Sequence, residues 1–216
     1  MKLSARTILL RTVQLVIAHP RPGALWFIGL TGPWIAIDVY GNGDFRFGSL
    51  LGLLAVFAQF MVTSALLRDL GLHRAWGRPG RAASFVGLGI VTTLAIGVGL
   101  LLGIVPGLFL YARWVLTSPL VIGDGMRMGE AMAASWQRTA GASLAIMTAL
   151  ILVFLPEVAS FVLMLSVYPE WGPVPVWAAI AANGMISLSL ILGWYLAVAV
   201  HVMIAEVGDD ERVSHA

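Results

Sequence analysis

Six apolar blocks, at 24–38, 48–67, 82–104, 108–122, 142–166 and 176–204, constrain this chain more than any other feature. Crossing about 30 Å of hydrocarbon takes roughly 20 residues of helix at 1.5 Å per residue. The blocks approach that length and are apolar all round, whereas helices around a soluble core keep a polar face. Hydrophobic residues make up 59% of the chain and charged residues 11%, against about 45–50% and 25% in soluble domains. The expected fold is all-α: a polytopic transmembrane helical bundle of about six spans. It forms one integral membrane domain over 1–216, with spans one to four at 24–122, spans five and six at 142–204, and a cytoplasmic tail at 205–216.

Two of the blocks need a turn between them. As one helix, 82–104 and 108–122 would rise about 60 Å, twice the membrane. Pro106-Gly107 supplies suitable chemistry for a break at 103–107. The first span is short, and Gly32-Pro33 predicts a bend in it.

Charge sets the expected orientation. With the N-terminus inside, Lys2, Arg6, Arg11, Arg21, Arg68, Arg74, Arg78, Arg81, Arg127, Arg138 and Arg212 are cytoplasmic, Arg46 is outside and Arg113 within the membrane. This bias predicts that both termini face the cytoplasm. The basic loop 68–81 reads as a solvated connection near anionic headgroups, and no nucleic-acid partner is expected. The chain has no cysteine, so disulfides and thiolate metal sites are excluded.

Two segments outside the spans are amphipathic. In 1–22, Thr7, Arg11, Gln14 and Ala18 share one face, with Leu3, Leu10, Val13 and Ile17 on another. Arg11, Thr12 and Gln14 interrupt the apolar run and His19-Pro20-Arg21-Pro22 follows it, so the segment reads as an interfacial helix, not a cleaved signal. In 124–141, Met128, Met132 and Trp136 stand four apart, flanked by Arg127, Glu130 and Arg138. This predicts a second interfacial helix, a connector or a partner-docking element.

Inside the spans, small residues recur at helical spacing: Ala95, Gly99 and Gly103; Gly89, Thr93 and Gly97; Ser189, Gly193 and Ala197; Ala145 and Ala149. Such stripes let helix backbones approach closely, within one chain or in a homo-oligomer. Trp26, Trp34, Trp114, Trp171, Trp177 and Trp194 read as interface anchors and packing residues. Four polar residues fall at similar expected depths: Arg113, Glu157, Asn183 and Gln59. Arginine in hydrocarbon costs several kcal/mol and calls for a partner. The expected arrangement is an Arg113–Glu157 ion pair with Asn183 or Gln59 taking the remaining hydrogen bonds. Such a cluster serves either as an internal clamp or as a polar cavity for a headgroup or small solute. His201, alone on its span, implies no metal or haem, and no cofactor is expected. Nucleophile elbows, zinc motifs and phosphate loops are missing, so no catalytic residues are assigned and the chain is not expected to be an enzyme.

The stretch 103–141 reads GIVPGLFLYARWVLTSPLVIGDGMRMGEAMAASWQRTAG. In the order and spacing of Pro106-Gly107, Arg113, Pro119, Glu130-Ala131, Ser135-Trp136, Thr139 and Gly141 it resembles a bacterial family of multispanning membrane proteins. That family includes the membrane domain fused to some glycerophosphodiester phosphodiesterases and the YciC-like inner-membrane proteins. The resemblance implies a multi-pass protein of the bacterial inner membrane concerned with envelope maintenance or lipid handling. It supplies no active site, and the soluble barrel of the fused relatives has no counterpart here, so phosphodiesterase activity is not carried over. The expected function is a non-enzymatic inner-membrane scaffold or accessory protein, with membrane lipids and a membrane-protein partner or second copy as its contacts. A transporter or lipid-handling protein is the alternative.

Overall fold

The computed structural model describes residues 3–40, 45–73, 81–167 and 174–214. Among these the chain is helical with no strand. In order the elements are α1 (Ala5–Ala18), α2 (Pro20–Tyr40), α3 (Phe45–Asp69), α4 (Arg81–Leu102), α5 (Ile104–Trp114), α6 (Thr117–Pro119), a π turn (Leu120–Asp124), α7 (Met128–Arg138), a 3-10 turn (Ala140–Ala142), α8 (Ser143–Val167) and α9 (Val176–Ser214).

Local chemistry explains the boundaries. Ser4 caps α1: its hydroxyl accepts from the Thr7 N–H at 3.2 Å, while the Thr7 hydroxyl accepts from the Ser4 N–H at 3.0 Å. Pro20 then opens α2, at a position where a missing N–H leaves nothing unsatisfied. Gly71, at φ 69°, turns the chain out of α3, and the Leu72 N–H closes back on the Leu67 carbonyl at 2.8 Å. A glycine takes that left-handed conformation without strain, which suits a helix end. Pro33 lies inside α2 and Pro156 inside α8 without ending either helix.

α9 is the axis of the molecule. Every residue from Trp194 to Met203 is buried, because α1, α2, α3, α6 and α8 all pack on this helix. A helix that is apolar all round belongs at such a centre. Around it the outer faces are apolar too: Leu25, Ile28, Leu53, Leu94, Leu144 and Phe161 are all exposed. A belt of this kind needs acyl chains as its solvent. Five stretches among the described residues are long and apolar enough to cross a membrane: Pro20–Tyr40, Leu50–Asp69, Ile104–Asp124, Ala140–Val167 and Val176–Glu206. The sixth expected span is α4, whose apolar stretch Ser84–Gly99 is shorter.

Two sequence expectations need correction here. The tail at 205–216 is not a separate element, since α9 continues without a break to Ser214. The N-terminal helix is more than a surface float. Ile8, Thr12 and Leu15 form a third, buried face that docks on α8 and α9. Leu10, Val13 and Ile17 stay exposed, and Arg11 pairs with Glu206 at 3.0 Å. Spacing alone separated a polar from an apolar face but could not divide the apolar residues between lipid and protein. The Arg11–Glu206 pair also joins the first helix to the C-terminal part of the last. Of the residues assigned to orientation or to interface anchoring, Lys2, Arg74, Arg78 and Trp171 lie outside the described residues.

Close helix approach follows the small-residue stripes only in part. A Cβ on Gly99 would stand 2.9 Å from the Gly107 Cα, so α4 and α5 touch backbone to backbone there. Gly193 faces Phe154 and Tyr111. Gly97, by contrast, faces open space. Trp194 is buried and Trp177 exposed, while Trp26 meets Phe57 edge-on with ring centres 5.6 Å apart.

Candidate functional site

The span that carries Arg113 is broken. α5 ends at Trp114, and helix resumes only at Thr117. A break inside a membrane frees backbone groups that lipid cannot satisfy, and α7 supplies their partners. The Ser135 hydroxyl donates to the Arg113 carbonyl at 2.7 Å and accepts from the Leu116 N–H at 3.2 Å. The Thr139 hydroxyl lies 3.2 Å from the same carbonyl and 2.8 Å from that of Ser135. Both residues have no exposed surface. α7 is therefore a splint across the break.

The Arg113 side chain closes the same assembly from the other direction. Its Nη1 donates to the Ser143 hydroxyl at 3.1 Å, at the first residue of α8. Its guanidinium carbon lies 4.3 Å from the Trp136 ring centre and 5.9 Å from that of Phe109. Cation–π contacts are worth about 0.5–1 kcal/mol when exposed and about 2 or more when desolvated. Arg113 is 7% exposed, and its Nε is buried without a hydrogen-bond partner. Phe109 and Trp114 both meet the Trp136 ring, at 5.9 and 6.1 Å between centres.

The four residues expected to converge do not. Arg113 makes no ion pair with Glu157, whereas Arg11 pairs with Glu206 and Arg138 with Asp124, and His19 Nδ1 lies 3.4 Å from Asp69. Glu157 lies 14 residues beyond Ser143 on α8, about 21 Å along the helix, and its N–H donates to the Ser189 hydroxyl at 3.1 Å. Its Oε2 is buried with no hydrogen-bond partner. Asn183 instead donates to Asp38 at 2.6 Å and to the Ala179 carbonyl at 2.9 Å, tying α9 to α2. Gln59 donates to Ser118 at 3.1 Å, tying α3 to α6. The expected depths failed because they set the outer end of the fourth span level with that of α8, whereas Arg113 meets Ser143 at the opposite end of α8.

The Met128, Met132 and Trp136 face is likewise not a free interfacial stripe. Met128 and Met132 pack partly buried against the core, with Met128 beside Gly87 of α4. Trp136, 38% exposed, roofs Arg113. The deepest line on α7 is Ala131 and Ser135, continued by its C-cap Thr139. Glu130 turns back to accept from the Arg127 N–H at 3.1 Å, capping the helix.

Ser135 and Thr139 entered the sequence reading only as positions of the family resemblance, with no bonding role, and Ser143 did not enter it, although hydroxyls recurring every fourth residue were a visible signal. That reading also passed over Tyr195, which no local pattern marks. That hydroxyl accepts from the Gly23 N–H at 3.2 Å and donates to the His19 carbonyl at 2.5 Å, fastening the α1–α2 corner to α9.

Beside the break lies a cavity of about 50 Å³, lined in part by Gln59, Thr92, Tyr111, Thr117, Ser118 and Trp194. A polar space of that size holds a few waters, since one needs about 10–15 Å³. Among the described residues no group of three or more histidines and carboxylates is placed to hold a metal ion. His201 is buried on α9.

Helices of this length and composition around a buried central helix define a multi-pass membrane protein of the all-α class. Comparison with protein-family models, with curated proteins and with solved structures finds no match.

Proposed function

We propose that this chain is a non-enzymatic scaffold or accessory protein of the bacterial inner membrane, with both termini cytoplasmic. The observation that carries this reading is the dispersal of its intramembrane polar residues. Three of the four bond a neighbouring helix, Gln59 to Ser118, Asn183 to Asp38 and Arg113 to Ser143, while Glu157 Oε2 is buried without a partner. Polar groups dispersed this way fix helix register and do not converge on one site. The cytoplasmic orientation rests on the charge bias. The bacterial inner membrane and a link to envelope maintenance rest on the resemblance of 103–141 to the phosphodiesterase-associated and YciC-like family. Membrane lipids, together with a protein partner or second copy, are its expected contacts.

One observation favours a second reading, a transporter or lipid-handling protein: the small polar cavity lies at a helix break, and broken helices line the solute sites of several transporters. Reconstituted liposomes separate the two readings. A scaffold releases no trapped ions, sugars or amino acids and moves no fluorescent lipid between leaflets faster than protein-free vesicles. Ala197 also lines that cavity, and flux or scrambling that disappears in the cavity-filling variant Ala197→Leu would overturn the scaffold reading. Native mass spectrometry from nanodiscs reports bound lipids and copy number in the same preparation.

A further inference from the structure

The α4–α5 hairpin does not have the reach of its neighbours. Gly103 alone joins the two helices, at φ 147°, a conformation that only glycine adopts readily. From Ser143 to Val167, α8 rises about 36 Å. Arg113 touches Ser143, and from Arg113 back to Gly103 is only about 15 Å of helix. An extended arginine side chain and its hydrogen bond bring the total to about 25 Å at most. A second ruler agrees. Tyr111 packs on Phe154, with ring centres 5.6 Å apart. Beyond that contact α8 rises about another 20 Å, while α5 reaches only about 12 Å further. Both place the turn about 8–11 Å short of the end of α8.

In composition the turn is also unlike the α2–α3 and α8–α9 connections. Residues 95–110 contain no charged, hydroxyl or amide side chain, whereas 38–47 holds Asp38, Asn42, Asp44 and Arg46, and 168–175 holds Glu170. Leu101 is 89% exposed, Leu102 79%, Ile104 72% and Val105 65%. These side chains continue the exposed apolar line of Ile90, Leu94 and Val98 on α4. At the corner the Gly103 N–H donates to the Gly99 carbonyl and the Gly107 N–H to the Gly103 carbonyl, and Pro106 has no N–H to leave unpaired, while α5 opens at Ile104 without a side-chain cap.

From the short reach and the bare apolar corner together, we infer that α4–α5 is a re-entrant hairpin. Its turn ends among the acyl chains of the leaflet opposite the termini, and the occupant of the exposed corner is lipid. α2, α3, α8 and α9 then cross the bilayer fully, and the hairpin returns to the face from which it entered.

The cysteine-free chain makes the test direct. Single cysteines at Leu102 and at Val105, spin-labelled in nanodiscs, report collision with oxygen, which concentrates in hydrocarbon, or with a water-soluble nickel chelate. Tyr40→Cys, at the exposed end of α2, is the aqueous reference. Variants are read only if they elute and melt as the wild type does, and exposed positions tolerate this substitution. The inference expects oxygen collisions to dominate at both corner positions and nickel collisions to dominate at Tyr40→Cys. Nickel accessibility at the corner equal to that at Tyr40→Cys overturns it, because the turn then lies in water. Low collision with both reagents also overturns it, because protein and not lipid then covers the corner.

Discussion

Replacing Ser135 with alanine tests the splint across the broken span. The hydroxyl makes two bonds, to the Arg113 carbonyl and from the Leu116 N–H. Its loss leaves the carbonyl with Thr139 as a remaining donor, but deprives the amide of this acceptor. A buried group left unsatisfied costs about 1–3 kcal/mol. Hydrogen bonds measured between membrane helices average only about 0.6 kcal/mol, with a maximum near 1.7. One fully lost partner and one partly replaced partner therefore predict a loss of about 1–2 kcal/mol for Ser135→Ala. The assay is reversible unfolding in mixed micelles, followed by tryptophan fluorescence, since Trp114 and Trp136 flank the break. Thr139→Val alone should cost less, because Ser135 still serves the carbonyl. The double variant should cost more than the sum of the two singles, because it strips the carbonyl of both donors. A Ser135→Ala protein as stable as the wild type, or strict additivity in the double variant, would refute the reasoning.

Three further outcomes are expected. In a cycle of Arg113→Met and Glu157→Gln the stability losses should add to within about 0.5 kcal/mol, as for groups that share no contact, whereas Arg113→Met and Trp136→Ala should couple. Gly99→Leu should lower the melting temperature in detergent, since overpacking costs about 1–3 kcal/mol, while Gly97→Leu, which faces open space, should melt as the wild type does. Tyr195→Phe should cost about 1–2 kcal/mol and raise proteolysis at the α1–α2 corner, because two backbone groups lose their common partner; unchanged proteolysis would count against that clasp.

Much of the bundle was legible in residue order. The apolar blocks gave the helices, the expected break at 103–107 holds the hairpin turn, though Gly103 makes it while Pro106-Gly107 lie within α5, and Gly99 marked its close contact. These signals are local, so the sequence displays them. The site was less legible, because its geometry is tertiary. Nothing in the run from Phe109 to Ile122 announces that helix stops after Trp114, since the break is made tolerable by Ser135 and Thr139, some 20 residues away. With the α4–α5 turn set level with the far end of α8, Arg113 was assigned a depth it does not have, and Glu157 became its partner by default. The faces of α1 and α7 failed for a related reason. Periodicity separates polar from apolar positions but does not tell Ile8, which packs on protein, from Leu10, which meets lipid.

The central claim is that the buried arginine is held by an aromatic roof and a hydroxyl, and not by a membrane carboxylate. Magic-angle-spinning NMR of protein labelled at arginine, serine, tryptophan and glutamate in lipid bilayers tests it most directly. The account predicts through-space cross-peaks from the Arg113 guanidinium nitrogens to the Trp136 indole and to Ser143 Cβ. A cross-peak to the Glu157 carboxyl carbon, with none to Trp136, would contradict it.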